Sequence, residues 1–469
     1  MQVSERAKGI AASQSLAMAA RAKAMKAAGV DVISMSLGEP DMDTPEHIRR
    51  AAQEAIDNGW THYGPVAGIA SLRATVAAAQ NVKCRLQIED CKFETADVIV
   101  SVGAKMAIYN AIQTVINPGD EVVIPMPSWV SYTEMVKVAR GKVVAVQTKY
   151  ENRYCLTAEA LRGALTEKTR MLILCSPNNP TGSIYSHSQL EALVEVLRAY
   201  PEVVVLSDEI YNALVYSEEE NKNIQNTAYA DINIENKNAE STVAERDLCV
   251  TINQPACEQA PGQDACEFRT AGTGIQSPQD SLQKCVVPPS ENAENIVCSM
   301  AFFQELQDRL IIVNGVSKAY AMTGWRIGWL MSKNKAFIEA CARLQGQQVT
   351  CATMVAQKAA EAALTGSQDC VAQMRQVFAE RRELICKLAA EIPGWKFEKP
   401  QGAFYLFPDV SALGGGDRVA EFLLEEAHVA VVSGSAFGCP ECIRLSYAIS
   451  TEEIVESMRR IKSAIEKLR

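Results

Sequence analysis

The amino-acid sequence predicts an α/β fold, with a mostly parallel seven-stranded sheet in a large domain and a smaller α+β domain. Between about residues 96 and 331, a short β-branched run, a turn and a helical stretch follow one another repeatedly. Several of these runs are apolar at successive positions, which is the pattern of strands covered on both faces. Helices on both sides of one sheet explain that pattern, and 469 residues leave room for a second domain.

Seven runs are interpreted as the strands of this sheet. They are Asp97–Val102, Glu121–Pro125, Lys142–Gln147, Met171–Cys175, Val203–Asp208, Leu310–Val316 and Ile327–Met331. The loop at 177–182, rich in Pro and Asn, directly follows one of them. Because open α/β sheets bind ligands beyond the carboxyl ends of their strands, this loop is a functional candidate.

The character of the sequence changes after Met331, where long helical periodicity over 335–364 and 369–392 is followed by short strands. This change predicts an α+β domain over residues 335–469, with the N-terminal segment 1–43 packed against it. The large domain then comprises residues 44–217 and 301–334.

Residues 218–300 fit neither pattern and are predicted to be a polar insertion, disordered or loosely ordered. Their only aromatic residues are Tyr229 and Phe268, so little apolar surface is available to offset the entropy of ordering. Five cysteines in the segment match no common zinc spacing. A passive insertion, a partner-binding or regulatory arm, and a mini-domain held by disulfides or metal are the alternatives.

Composition excludes several classes of protein. The chain has 46 Lys and Arg against 56 Asp and Glu, a formal net charge of −10, so nucleic acid is not an expected partner. No run approaches the roughly 18 apolar residues that span a bilayer, so no membrane partner is expected. The N-terminus has no uninterrupted apolar core and does not resemble a secretory signal. Scattered cysteines are typical of a reducing compartment, and the cytoplasm is the expected location.

The first candidate for chemistry is a lysine at the carboxyl end of a predicted buried strand. Lys318 follows the strand that ends at Val316, and lysine is rarely buried without a partner. A lysine at the rim of the sheet is the simpler interpretation of this residue alone. A lysine that forms a Schiff base with an aldehyde is the functional one, because binding then changes its charge and pKa.

Four other features, taken together with Lys318, indicate a pyridoxal phosphate site. Gly103 stands between a strand and a helix, where free backbone N–H groups would face a phosphate. Arg326 offers a charge-assisted clamp for the same phosphate. Asp208 could pair with a protonated ring nitrogen, and Trp129 could stack on an aromatic ring.

Six motifs carry a family resemblance. They are Ser-Leu-Gly-Glu-Pro-Asp at 36–41, Tyr-Gly-Pro-Val-Ala-Gly at 63–68, Ser-Pro-Asn-Asn-Pro-Thr-Gly at 176–182, Ser-Asp-Glu-Ile-Tyr at 207–211, Ser-Lys-Ala-Tyr-Ala-Met-Thr-Gly-Trp-Arg at 317–326 and Arg-Leu-Ser-Tyr-Ala at 444–448. In this order they resemble the class I aminotransferases of fold type I, and more narrowly the bacterial-type aspartate aminotransferases, which include aspartate/prephenate enzymes. The resemblance covers nearly the whole chain except residues 218–300. It implies a pyridoxal-phosphate-dependent enzyme that is a homodimer with shared active sites.

The resemblance also implies a role for each matching residue. Lys318 would form the Schiff base with the cofactor and move protons between it and the substrate Cα. Asp208 would keep the pyridine nitrogen protonated, and Asn179 and Tyr211 would bind the 3′ oxygen of the ring. Lys318, Asp208 and Tyr211 are the predicted catalytic residues. The other predicted cofactor contacts are Gly103, Ala104, Lys105, Trp129, Ser317, Arg326 and, from a second subunit, Tyr63.

The substrates implied are amino acids and 2-oxo acids, with L-aspartate and 2-oxoglutarate first, and no metal is expected. Arg444 would bind the α-carboxylate in a bidentate fork, aided by Gly38 and Asn179. Lys105 would reach the distal carboxylate, although balancing the phosphate charge is an alternative role. Trp129 is also counted among the substrate contacts.

Other functions stay open at the level of sequence. Prephenate or aromatic transamination and alanine transamination are alternatives within the fold. Ala11 stands where the prephenate-active relatives carry a lysine, which argues against prephenate. An enzyme whose insertion serves as a protein-binding arm is a further alternative. A cofactor-sensing regulator would need a DNA-binding module, for which the N-terminal segment leaves no room.

Cys439 and Cys442 form a Cys-x-x-Cys motif shortly before Arg444. Two ordinary loop thiols are the simpler interpretation. As a redox pair, they would pull on the backbone that carries Arg444 and raise the KM of every substrate. Unchanged kinetics of a Cys439→Ser, Cys442→Ser double variant under oxidant and reductant would reject that hypothesis.

Overall fold

The structure is a computed structural model that describes residues 1–84, 92–216 and 299–468. The strands are β1 (Ile33–Ser34), β2 (Val98–Val102), β3 (Glu121–Met126), β4 (Lys142–Gln147), β5 (Thr169–Cys175), β6 (Val204–Asp208), β7 (Leu310–Gly315), β8 (Ile327–Met331), β9 (Tyr405–Leu406), β10 (Val429–Ala430), β11 (Val432–Ser433) and β12 (Ile443–Ser446). The α-helices are α1 (Glu5–Lys8), α2 (Gln14–Ala27), α3 (Glu46–Asp57), α4 (Ala70–Lys83), α5 (Gly103–Val115), α6 (Ser131–Val138), α7 (Ala158–Ala164), α8 (His187–Leu197), α9 (Lys335–Gln348), α10 (Met354–Thr365), α11 (Asp369–Ala389), α12 (Gly416–Glu426) and α13 (Thr451–Leu468).

The central sheet has seven strands in the order β2-β8-β7-β6-β5-β3-β4. Strand β8 runs antiparallel to both neighbours, and the other pairs are parallel. The predicted mostly parallel seven-stranded sheet is therefore confirmed. Because β8 alone is reversed, its beginning lies at the same edge of the sheet as the carboxyl ends of the other six strands.

Side chains of the central strands alternate between two hydrophobic cores, one on each face of the sheet. In β2, Val98 and Val100 pack in one core while Ile99 packs in the other. In β5, Leu172 and Ile173 separate in the same way. Burial on both faces removes the need for polar residues at alternate positions, which explains the continuous apolar runs.

A second unit has its own core and a three-stranded antiparallel sheet, in the order β11-β12-β9. Its core is formed largely by α11, α12, α13 and these strands. The N-terminal segment packs on this unit, since β1 pairs in parallel with β10 and Ala22 of α2 clusters with Leu424 and Ala430.

The two helices that follow the predicted boundary at residue 335 pack on the large domain. Residues Ile338 and Cys341 of α9 and Ala359 of α10 lie in the cores of the large domain. The first core residue that follows α10 and belongs to the second unit is Met374. Because an amphipathic helix can pack on either unit, the division of the domains at residue 335 stays a prediction.

The long helical run predicted over 335–364 is also interrupted. Helix α9 ends at Gln348 and α10 begins at Met354, and Thr350 between them has a left-handed φ of 61°. A sequence of Val349, Thr350, Cys351, Ala352 and Thr353 offers several β-branched residues, which disfavour the helix.

The predicted insertion at 218–300 lies outside the described residues except for its last two. Ser299 and Met300 are buried, and Met300 belongs to a core of the large domain. The described chain therefore packs into the large domain two residues earlier than predicted. Within the described ranges, no helix is long and apolar enough to cross a membrane.

Candidate active site

Residues from six separate segments meet at the carboxyl edge of the central sheet. Gly103 follows β2, Trp129 follows β3, Asn179 follows β5, Asp208 ends β6 and Lys318 follows β7. The reversed strand β8 brings the residue before it, Arg326, to the same edge. This meeting is a direct consequence of strand direction, and it is where ligands bind in open α/β sheets.

Lys318 lies in a mostly apolar setting with charges on several sides. Its Nζ donates a hydrogen bond to the carbonyl oxygen of Gly38 and lies 5.8 Å from the ring centroids of Tyr211 and Phe404. Burial lowers the pKa of Lys318 to about 8; nearby arginines add to this effect, and the carboxylates of Glu39 and Asp208 oppose it. A substantial fraction of this amine is therefore neutral near physiological pH, and a neutral amine can act as nucleophile or base.

Asp208 is a buried carboxylate that accepts two hydrogen bonds. Tyr132 Oη donates to it at 2.6 Å, and the backbone N of Ile210 donates at 3.2 Å. Burial raises the pKa of Asp208 to about 6, against the lowering effect of these two donors. The carboxylate is ionised at neutral pH, and a buried anion of this kind is stabilised by a cationic partner.

The first turn of α5 and the guanidinium of Arg326 form a cradle for an anion. Gly103 has a left-handed φ of 79°, and a Cβ at this position would collide with Nη2 of Arg326. Gly328 in β8 likewise leaves space for the backbone N of Ala104. Free N–H groups at the start of a helix and an adjacent arginine together favour a phosphate or similar anion.

Arg444 is a buried guanidinium on β12 with donor capacity to spare. Its Nη1 donates to Asn179 Oδ1 at 3.0 Å, and its Nη2 donates to the carbonyl oxygen of Ser36 at 2.7 Å. Its Nε is buried without a hydrogen-bond partner among the described residues. The rings of Tyr405 and Phe437 lie 4.5 Å and 4.9 Å from the guanidinium carbon. A buried cation with an unused N–H is suited to bind a carboxylate from solution.

Lys105 and Trp129 stand beside the cradle. Lys105 Nζ lies 4.8 Å from the centre of the Trp129 ring, in a cation–π contact. Burial, together with the positive charge of Arg326, lowers the pKa of Lys105. Trp129 in turn packs edge-on against Tyr132, with ring centroids 5.3 Å apart.

Two further predicted cofactor contacts differ in their surroundings. Ser317 is buried directly before Lys318, whereas Tyr63 is 90% exposed on this chain. The structure therefore brings Ser317 to the edge of the sheet and leaves Tyr63 facing outward.

Comparisons with known proteins show which family the chain belongs to. The family "Aminotransferase class I and II" matches residues 30–245 and 286–461, which is most of the chain. The chain belongs to the class I and II aminotransferases. It is 36% identical to an aspartate aminotransferase of Geobacillus stearothermophilus, over 99% of both chains. It is 34% identical to an aspartate/prephenate aminotransferase of Nitrosomonas europaea, over 99% of this chain and all of that one. The crystal structure of an aspartate aminotransferase from Rhizobium meliloti superposes with a TM-score of 0.79 at 32% identity, covering 99% of both chains.

The predicted family, fold type and enzyme class are thus confirmed. Three side chains of this aminotransferase site were not predicted from sequence. They are Tyr132, Tyr405 and Phe437. Each is an aromatic residue inside an ordinary apolar pattern, which cannot be distinguished from core packing before the fold is known.

The two cysteines before Arg444 lie close together in this aminotransferase. The Sγ atoms of Cys439 and Cys442 are 3.4 Å apart, and both are free thiols. Cys442 is buried in a cluster that includes Phe437, the ring beside Arg444. The redox-pair hypothesis stays a prediction. A change at Cys442 could reach Arg444 through the ring of Phe437, which contacts both.

Proposed function

We propose that this aminotransferase exchanges an amino group between L-aspartate and 2-oxoglutarate, with pyridoxal 5′-phosphate as its cofactor. The observation that carries the proposal is Lys318 at the carboxyl edge of the sheet, a lysine whose Nζ donates to the Gly38 carbonyl oxygen and whose pKa of about 8 is influenced by the charges of Asp208 and Arg444, both buried. The names of the similar enzymes support aspartate as the amino donor.

The residues at the edge of the sheet fit pyridoxal phosphate. The cradle of Gly103, Ala104 and Arg326 suits the phosphate, with Ser317 beside it. Asp208 suits the protonated ring nitrogen, and Trp129 offers a flat face to the ring. Asn179 and Tyr211 offer an amide and a hydroxyl to the ring oxygen. When bound, the cofactor would supply an aldehyde carbon and a ring that withdraws electrons.

Different residues of the chain would orient the substrate and transfer its proton. Arg444 would bind the substrate α-carboxylate through Nε and its remaining N–H groups, which fixes the Cα position. Lys318 Nζ, neutral in part at pH 7, would take the proton from that Cα and return it elsewhere in the reaction. Asp208, ionised above pH 6, would hold a proton on the ring nitrogen.

We assign the preference for a distal carboxylate to Lys105. Its Nζ lies 4.8 Å from the centre of the Trp129 ring on an exposed side chain, so it can offer a positive charge to a distal carboxylate. Residue 11 offers no cation for a second carboxylate, since Ala11 has only a methyl group and its backbone N donates to Glu134 at 2.8 Å. This supports aspartate over prephenate.

Replacing Lys105 with methionine should lower kcat/KM for aspartate about tenfold to a hundredfold, the size expected for one charge-assisted hydrogen bond. The same change should leave kcat/KM for alanine almost unaltered, because alanine has no distal carboxylate. Lys23→Met, at an exposed lysine of α2, is the matched control. An equal loss for both substrates would assign Lys105 to the phosphate instead.

We also infer a homodimer in which Tyr63 of each chain contributes to the other chain's site. Tyr63 is 90% exposed, and Ile56 and Trp60 nearby are 49% and 38% exposed. A group of exposed apolar and aromatic residues on a folded chain commonly marks an interface. Light scattering of the purified protein should give twice the mass of one chain, and a monomeric mass would contradict the inference.

The cytoplasm is the location we propose. The nine cysteines within the described residues are all free thiols, which supports a reducing compartment. Cell fractionation should recover the enzyme with cytoplasmic markers, and recovery from an oxidising compartment would contradict the proposal.

After addition of pyridoxal 5′-phosphate and removal of the unbound cofactor, the purified protein should retain a visible absorption band, because a cofactor joined to an amine of the chain stays with the protein. Aspartate should then convert the spectrum, and 2-oxoglutarate should restore it. A protein that acquires no band after the cofactor is supplied would refute the proposed function.

A further inference from the structure

Tyr405 is a buried tyrosine that contacts two proposed parts of the site at once. It lies on β9 and pairs with Ser446 of β12, close to Arg444 in the same strand. Its ring lies 4.5 Å from the guanidinium carbon of Arg444, and its Oη lies 2.8 Å from Tyr211 Oη. One side chain thus joins the proposed carboxylate-binding residue to the proposed partner of the ring oxygen.

The chain leaves space for the Tyr405 hydroxyl at Gly38. A Cβ on Gly38 would collide with Tyr405 Oη, and the carbonyl oxygen of Gly38 accepts the hydrogen bond from Lys318. The hydroxyl therefore lies beside the segment that holds the lysine amine.

The direction of the hydrogen bond between the two tyrosines follows from counting protons. A hydroxyl has one proton, so Tyr211 can donate to a ring oxygen only if it accepts from Tyr405. A hydroxyl that accepts a hydrogen bond becomes a stronger donor, because linked hydrogen bonds polarise one another. Tyr405 would then act on the cofactor through Tyr211, without touching it.

We propose that Tyr405 is a positioning residue: its ring holds the Arg444 guanidinium in place, and its hydroxyl directs the Tyr211 proton toward the cofactor ring oxygen. This inference rests on the proposed function. Because the ring and the hydroxyl of Tyr405 have separate roles, a substitution that removes only the hydroxyl and one that also removes the ring should have different consequences.

Tyr405→Phe keeps the ring and removes the hydroxyl. In the cofactor-loaded enzyme, the ring oxygen should lose part of its support as an anion, so the chromophore should hold its proton more tightly. The midpoint of the pH-dependent visible spectrum should rise by about half to one pH unit, the size of one modest hydrogen bond. Binding of succinate, a dicarboxylate without an amino group, should not change.

Tyr405→Leu removes the ring as well. The dissociation constant of succinate, measured from the spectral change that it causes, should rise about three- to tenfold, as expected for a lost cation–π contact. Tyr447→Phe is the matched control, because Tyr447 is buried and its Oη donates to the Ala403 carbonyl at 3.3 Å, away from Tyr211. It should alter neither measurement.

Each outcome decides between separate claims. A wild-type protein that binds no chromophore overturns the proposed function and this inference together. A normal wild-type titration with an unshifted midpoint in Tyr405→Phe overturns the inference alone, as does the same shift in Tyr447→Phe. If Tyr405→Leu does not fold, the midpoint of Tyr405→Phe still decides the role of the hydroxyl.

Discussion

Replacing Lys318 with alanine should reduce the rate of transamination by at least about 10⁴-fold, because one amine is proposed to supply both the nucleophile and the proton carrier. The surroundings of Lys318 support this size of effect. Its Nζ donates a hydrogen bond to the Gly38 carbonyl oxygen, and burial holds its pKa near 8. The measurement is the half-reaction of the loaded enzyme with aspartate, followed by absorbance.

Lys333→Ala is the control for this variant. Lys333 is a partly buried lysine that also follows a strand of the central sheet, and its Nζ pairs with Asp97 at 3.0 Å. Because β8 runs in reverse, Lys333 lies at the opposite edge of the sheet. Turnover by Lys333→Ala should stay close to that of the wild type, and robust turnover by Lys318→Ala would end the assignment.

The pKa of Lys318 also predicts how the stability of the cofactor-free protein depends on pH. Between about pH 8 and the ordinary lysine value of 10.5, the unfolded chain binds a proton that the native chain does not. This group's contribution to the free energy of unfolding therefore rises with pH across that window. A Lys318→Met variant lacks the amine, so its free energy of unfolding should not show this rise between about pH 8 and 10.5. Chemical denaturation of the cofactor-free protein at several pH values measures the difference.

The sequence was sufficient to predict the sheet and the elements that meet at its edge. Apolar runs such as Leu310–Val316 are long because both faces are covered, and a polar residue directly after such a run is easily recognised. Asp208 and Lys318 were recognised in this way. Arg444 lies far along the chain in a different unit, and only the family resemblance indicated it.

The aromatic residues of the site and the surfaces covered by some helices could not be predicted, because they depend on packing between segments that are distant in sequence. Tyr132 and Tyr405 act through contacts with Asp208 and Tyr211 that are 76 and 194 residues away in sequence. Periodicity marks such residues only as apolar. The sequence does not indicate which unit α9 and α10 pack on for a related reason, since a helical pattern gives the apolar face but not the surface that it covers.

Replacing Asp208 with asparagine should have opposite effects on activity and on stability. Transamination should fall by at least about 10³-fold, because the ring nitrogen would lose the anion proposed to keep it protonated. In the cofactor-free protein, the native state binds a proton on Asp208 between pH 3.8 and about 6 that the unfolded state has released. The free energy of unfolding of the wild type therefore falls as pH rises through that window. Asparagine does not titrate, so Asp208→Asn should lack this part of the pH dependence.

Chemical denaturation at several pH values tests the stability effect. Above pH 6, cofactor-free Asp208→Asn should be more stable than the wild type by on the order of 2 kcal/mol, and near pH 4 the two should converge. Asp97→Asn is the matched control, because Asp97 is also buried at the end of the sheet but is paired with Lys333. Removing that paired charge should lower stability and spare activity, since the pair lies at the opposite edge. A stabilised Asp97→Asn, or an Asp208→Asn that is destabilised at every pH, would contradict the view that burial of Asp208 outweighs its hydrogen bonds and that its anion lowers stability until a cationic ligand binds.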